Sequence, residues 1–423
     1  MDNVTHVLAG VVVADAAWLL HTKLREGSGP AGGVPPRNDG ALRSALFTSS
    51  VLANNLPDFD FLYGGITPGK LGYLLHHRGH THTLVAALPL GLLGLGAIVA
   101  LLRLRGQSLS RAQLGLLAGV AALGGALHIL FDFANNYGVH PFWPLDDRWY
   151  YGDALFIIEP WLMIVLAGMA LGASRSRAAK VLVCTVIGVL LAIAWGSGLL
   201  ATPWTIALTL AAPCWLAWQH QASPRQRWSS GVLALLGLLS IHLGARAQVR
   251  ATVQSALASQ PRFVPLALVS TPLPGNPLCW QIFAAGREGE DYVVRRALAS
   301  GWPALAHLDG CGSVDAQRAD ARGSAPLAPA ALPLPELPGL RWGPEFRAPF
   351  TELSELARRD CAARAFLRFA RIPFWLQQPH GTLLLGDLRF DRSPAEEFAE
   401  IELTGQSPCP PYIPPWQPPL PLP

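Results

Sequence analysis

Up to about residue 250 the chain repeats one pattern: a long apolar run, then a short polar break. Eight runs approach the roughly 20 apolar residues that a helix needs to cross a bilayer. They are Val4–Leu20, Ala41–Leu56, Thr83–Leu102, Leu114–Phe133, Leu155–Ala173, Val181–Leu200, Trp204–Trp218 and Ser230–Ala245. The second is the weakest, being short and holding Thr48, Ser49, Ser50, Asn54 and Asn55, so a re-entrant helix is an alternative there. The seventh is also short and contains Pro213. Beyond Arg250 short runs take over, such as Gln281–Ala284, Tyr292–Val294 and Thr382–Leu388, and their period of two suggests strands. The expected fold is an α-helical polytopic membrane protein of about eight transmembrane helices with a C-terminal soluble domain, mixed or mostly β. The expected divisions are a transmembrane domain over 1–249, an extracytoplasmic domain over 250–404 and a Pro-rich tail over 405–423. Gly323–Gly339 reads as an extended loop, and the tail as polyproline II or disordered.

Composition agrees with this division. Hydrophobic residues make up 51% and charged residues 14%, against roughly 25% charged in soluble chains. A net charge of +4 is too small to imply a nucleic-acid partner. Charge placement says more than its size, because basic residues collect in cytoplasmic loops. Lys23, Arg25, Arg37, Arg43, Arg103, Arg105, Arg111, Arg175, Arg177, Lys180, Arg225 and Arg227 fall in one set of loops. The alternate loops hold only Lys70, Arg78 and Arg148. This split puts the N-terminus outside and, with eight spans, the C-terminal domain outside too. In a Gram-negative cell that space is the oxidising periplasm. Cys279, Cys311, Cys361 and Cys409 would there be either disulfide-bonded, in one of three pairings, or buried thiols.

The metal-capable side chains gather at the same outer face. His6 lies in the first turn of the first run, and Asp58 and Asp60 in LPDFD end the second. His76, His77, His80 and His82 in HHRGHTH open the third, and His128 and Asp132 in HILFD end the fourth. Asp153 and Glu159 lead into the fifth. His128 and Asp132 are four apart, so they share one helix face and can ligate one ion. Taken singly, each has a bland reading: a satisfied core histidine, a helix cap, a hydrogen-bonded pair. Taken together, five segments placing ionisable groups at one membrane face suggest a shared metal site, since such groups are costly there unless paired or ligated. Arg78 either clamps an anionic oxygen or snorkels to headgroups. Phe142, Trp143, Trp149, Tyr150 and Tyr151 form an interfacial aromatic belt or contact substrate.

The segments MDNVTHVLAG, LPDFDFL, HHRGHTHTL, HILFDFANNYGVHPFWPL and WYYGDALFIIEP, in this order, resemble the bacterial inner-membrane family of membrane-bound metal-dependent hydrolases, many of them only predicted to be hydrolases. The resemblance covers about residues 1–170. It implies a divalent metal, zinc above all, held by His6, Asp58, Asp60, His77, His82, His128 and Asp132. These are more ligands than one tetrahedral ion takes, which suggests a multinuclear site. The expected catalytic set is Asp58, His77, Arg78, Asp153 and Glu159. His80 falls at a variable position of the pattern, Thr83 stands where serine is usual, and Glu159 where aspartate is usual. A remoter likeness runs to the zinc-dependent phospholipase C and single-strand nuclease superfamily. The implied activity is hydrolysis of a lipid-linked phosphodiester or ester at the outer face of the inner membrane. Membrane lipid or a lipid-linked substrate would be the partner. HExxH and GxSxG are absent from the sequence, which argues against the corresponding proteases and α/β-hydrolases. The rival reading is a transporter or metal-binding scaffold, for which Asp15 in the first run is the main pointer.

Overall fold

The computed structural model describes residues 1–27, 39–67, 69–311, 324–331, 333–391, 398–405 and 409–421. Arg37, Gly323 and parts of the Pro-rich tail lie outside these residues.

All eight apolar runs form helices: α1 (Asn3–Gly27), α2 (Asp39–Ala53), α5 (Leu84–Leu104), α6 (Arg111–Phe133), α7 (Pro160–Ala173), α8 (Arg177–Gly196), α9 (Thr202–Gln221) and α10 (Pro224–Ala258). Two short helices, α3 (Phe61–Gly64) and α4 (Gly69–His76), lie between α2 and α5. The expectation of about eight spans needs correction. Among the described residues five helices are long and apolar enough to cross a bilayer: α1, α5, α6, α8 and α10. With 15 and 14 residues, α2 and α7 reach only about 22 and 21 Å at 1.5 Å per residue, short of a hydrocarbon core of about 30 Å. Helix α9 has the length, but Thr202, Thr205, Thr209, Gln219, His220 and Gln221 dilute its apolar content.

Local chemistry sets these helix ends. Ser110 caps α6 in a reciprocal box with Gln113, and Thr83 caps α5 by accepting from the Ala86 amide. Small residues let the helices close up where the site will form. A Cβ on Gly124 of α6 would lie 2.8 Å from the Asn54 side chain, and one on Gly125 would lie 2.9 Å from the Ala87 carbonyl of α5.

Helix α10 continues through the division expected near residue 250. Its row Ala245, Val249, Val253 and Leu257, spaced by four, packs beneath Trp280, Ile282, Ala284 and Val293 of the first sheet. That antiparallel sheet orders β1 (Phe263–Leu273), β2 (Asn276–Glu288), β3 (Asp291–Ser300) and β4 (Leu340–Trp342), with β5 (Phe346–Pro349) also pairing β3. The strand runs expected at Gln281–Ala284 and Tyr292–Val294 lie in β2 and β3. After α11 (Phe350–Arg359) and α12 (Cys361–Phe366) comes a three-stranded sheet, β6 (Pro373–Gln377), β7 (Leu383–Asp387) and β8 (Glu400–Leu403). Disulfides join Cys279 to Cys311 and Cys361 to Cys409.

The C-terminal domain sits on the end of the bundle where α1 begins and α6 ends. Arg371 forks onto both oxygens of Asp153 at 2.8 and 3.0 Å, and Arg389 donates to the Asn136 carbonyl at 2.6 Å. The Pro-rich tail takes part in this docking, contrary to a disordered end. Trp416 is fully buried, donates to the Leu75 carbonyl at 3.0 Å and stacks on His140 at 3.8 Å. With the Cys361–Cys409 disulfide and Arg368 donating to the Pro414 and Trp416 carbonyls, this indole anchors a tail that has no helix or strand among its described residues.

Asp15, a carboxylate in the middle of α1, is not free in the bundle. Arg227 of α10 donates to it at 2.6 Å and Trp228 at 3.1 Å. Removing one member of a buried pair strands the other charge. Asp15→Ala is therefore expected to destabilise the detergent-solubilised protein by ~3–5 kcal/mol, and Asp15→Leu combined with Arg227→Met to recover most of the loss, read by thermal unfolding.

Candidate metal centre

Four of the expected ligands converge. Asp58, His82, His128 and Asp132 each offer one atom, all within 4.8 Å of one another. They come from three local devices. Asp58 sits in the 3₁₀ turn Leu56–Asp60 after α2, and His82 ends the turn His80–His82 that Thr83 closes by donating to the His80 carbonyl. His128 and Asp132 stand one above the other on the last turns of α6.

The spacing is that of a coordination shell. His82 Nε2 lies 3.0 Å from His128 Nε2, 3.0 Å from Asp132 Oδ2 and 3.3 Å from Asp58 Oδ1. His128 Nε2 lies 3.4 Å from Asp132 Oδ2 and 3.5 Å from Asp58 Oδ1. A tetrahedral ion with bonds of roughly 2.0–2.1 Å places its donors about 3.3 Å apart. The outward nitrogens are prepared for this role. His128 Nδ1 lies 2.7 Å from the Asn54 carbonyl oxygen, and a carbonyl only accepts, so the proton is on Nδ1 and the Nε2 lone pair faces the centre. His82 Nδ1 faces Asp60 Oδ2 at 3.4 Å, with the same consequence. Burial pushes the His82 pKa down to about 3, which keeps the ring neutral. Asp132 Oδ2 is fully buried and accepts no hydrogen bond. An unsatisfied buried carboxylate oxygen is costly unless something cationic meets it. The donor set therefore fits a divalent ion.

The other expected ligands surround this group. Asp60 lies in the next layer, where its oxygens take the His77 Nδ1 proton at 3.0 Å and the Arg78 amide at 2.9 Å. His77 is thereby oriented by Asp60, with its ring 5.7 Å from that of His82. His6 stacks on His128 at 3.9 Å and places Nε2 3.3 Å from Asp132 Oδ1. Asp132 Oδ1 also meets the Met1 amino group and the Arg78 guanidinium.

Three expected catalytic residues are engaged otherwise. Arg78 has a positive φ of 59°, which turns its side chain inward, and it is buried. It contacts Asp132 Oδ1 at 3.0 Å, donates to Asn135 Oδ1 at 2.9 Å and lies over the Tyr137 ring. That arrangement holds Asp132 and does not match a headgroup clamp or a snorkelling side chain. Asp153 has both oxygens taken by Arg371 and belongs to the docking of the C-terminal domain. Glu159 caps α7 through the Trp161 amide and lies outside the four-donor group. His80, at the variable position, packs against Trp143 and Trp416.

Asn54 and Asn3 have roles the motifs did not reveal. Asn54 acts through its carbonyl, and Asn3 donates to Asp58 Oδ2 at 2.8 Å. The only sequence signal for Asn54 was polarity at the end of an apolar run.

A helical membrane segment with a one-sided His/Asp centre and a docked β domain defines the class. Residues 1–202 match the model of the family described as YdjM inner membrane protein. No curated protein and no solved structure matches the chain. Together with the five apolar helices, the match supports a multi-pass inner-membrane protein.

If the four residues form the shell, His128→Ala or Asp132→Ala should abolish binding of one metal equivalent, measured by elemental analysis after chelator-free purification. Asp60→Asn should keep the metal but weaken it ~10–100-fold, as expected for a residue that orients a ligand. Equal losses in all three variants would make Asp60 a ligand.

Proposed function

We propose that the chain is a membrane-embedded, zinc-dependent hydrolase acting at the outer face of the inner membrane on a lipid-linked phosphodiester or ester. The observation that carries this reading is the convergence of Asp58 Oδ1, His82 Nε2, His128 Nε2 and Asp132 Oδ2, with each Nε2 3.0–3.5 Å from both carboxylate oxygens. Two nitrogens and two oxygens with no thiolate suit zinc. Held by these residues, such an ion would supply Lewis-acid activation of an ester or phosphoryl group and of water where the most accessible donor, Asp58, yields its position, since four protein donors alone make a closed site. The chain's own groups divide the remaining work. Arg78, Asn54 and Asp60 hold the ligands in position. His77, oriented through Nδ1 by Asp60, keeps Nε2 for a proton transfer beside the centre. Its side chain is partly exposed, as a group that meets substrate requires.

Two further observations support the outer face. The basic loops lie at the ends of the helices remote from the site, and the two disulfides of the docked domain suit an oxidising compartment. Transport is the less supported reading, because Asp15 is held by Arg227.

Purified protein should release product from a phospholipid or phosphorylated lipid, lose that activity to a chelator and regain it with added zinc. His77→Gln should keep the metal and lower turnover by ~10²–10⁴-fold if His77 transfers a proton. A protein that holds zinc and cleaves neither class of lipid contradicts the proposal. For topology, a reporter active only in the periplasm should work when inserted after Gly289, in the β2–β3 turn, and be silent after Gly106.

A further inference from the structure

The segment that follows the ligand Asp58 has an unusual surface. From Phe59 to Ile66 the exposed side chains are Phe59, Phe61, Leu62 and Ile66, with Phe61 60% and Leu62 74% exposed. The one charged residue among them, Asp60, is buried and turned toward His77 and Arg78. A contiguous apolar surface without exposed charge is rare on a water-facing loop and marks contact with a membrane or a partner.

Three observations select the membrane. First, the segment starts at bilayer depth: Leu52 and Leu56 lie against Gly94, ten residues into α5 and so about 15 Å along its axis. Secondly, the turn Leu56–Asp60 that opens the segment packs on α5, a helix long and apolar enough to cross a bilayer whose Val85, Leu92 and Leu93 are exposed. Thirdly, the exposed Lys70 follows close behind and marks where the chain regains the headgroup region. Asp58 is the most accessible of the four donors, with 11% of its side chain exposed against none for the other three. The open edge of the centre thus adjoins this apolar segment.

We propose that Phe59–Ile66 is immersed in the leaflet at the site's end of the bundle and forms a lateral lipid entrance to the metal centre. Acyl chains of a bilayer lipid lie along Phe59, Phe61 and Leu62, and the headgroup reaches Asp58 from the side without leaving the membrane. This rests on the lipid-substrate reading above and narrows it to a substrate with at least one long acyl chain.

The tests read position and contact, not hydrolysis, so they stand apart from the catalytic proposal. In a background with Cys184 and Cys214 replaced by alanine, nitroxides are placed at Phe61→Cys and Leu62→Cys in the full-length protein in nanodiscs. Reference labels are Leu93→Cys on α5 for bilayer and Leu305→Cys on the β domain for water, both exposed positions. Relaxation by oxygen against a water-soluble nickel chelate should make both test sites match Leu93. A match to Leu305 would overturn the immersion. In the second arm, a phosphatidic acid bearing a diazirine on its acyl chain is photolysed with the zinc-loaded protein. Labelling of the peptide holding Phe59–Ile66 is expected, and its absence with α5 labelled would overturn the entrance. If both arms succeed while no lipid is cleaved, the entrance stands and the hydrolase reading falls.

Discussion

Asp58 and Asp132 converge on the imidazoles of His82 and His128 in a site from which water is almost wholly excluded. Two carboxylates cannot share such a volume without compensation, because burial makes every uncompensated charge expensive. Arg78 and the Met1 amino group meet only the Oδ1 atom of Asp132. The remaining oxygens and both Nε2 atoms face one another at about the edge length of a coordination tetrahedron. The rest of the bundle end follows from that constraint. Gly124 lets α6 approach Asn54, the Asn54 carbonyl fixes the tautomer of His128, and the positive φ at Arg78 turns its guanidinium onto Asp132.

The same constraint explains why the β domain docks where it does. The loops that carry the site's outer layer, around Leu75–His82 and Asn135–Asp153, present backbone carbonyls and a carboxylate to the β domain. The domain satisfies them: Trp416 on Leu75, Arg389 on Asn136, Arg371 on Asp153. Helix α10 continues from the bundle into the sheet, so the two parts share one rigid connection. The disulfide Cys361–Cys409 ties the start of the tail to α12, so Trp416 is delivered from a fixed point.

Much of this was legible in the chain. The i, i+4 pair His128/Asp132 is a helix-face signal, and the clustering of His and Asp at one end of the runs foretold a common site. The strands in β2, β3 and β7 were visible as short alternating runs. What escaped was direction. Asp58 and Asp60 are two residues apart in one tight turn, and only the turn's geometry sends the first to the centre and the second to His77. Arg78 read as either a clamp or a snorkelling side chain because sequence does not report φ. Apolar runs were counted as spans, yet α2 and α7 are packed helices too short to cross, and composition alone does not separate the two. The proline-rich tail looked unstructured because one anchoring Trp416 is invisible among nine prolines. Six cysteines left three pairings among the four outer ones, and only the folded chain, whose turn after β3 carries Cys311 back to β2, joins it to Cys279.

The central claim is that Asp58, His82, His128 and Asp132 form one coordination shell. X-ray absorption at the zinc edge of the reconstituted full-length protein tests it most directly. The account predicts a single shell of four nitrogen and oxygen donors at ~2.0–2.1 Å, with outer scattering from two imidazoles that falls to one in His82→Ala. A sulfur contribution, a hexa-aquo-like shell of six oxygens, or imidazole scattering unchanged in His82→Ala would contradict it.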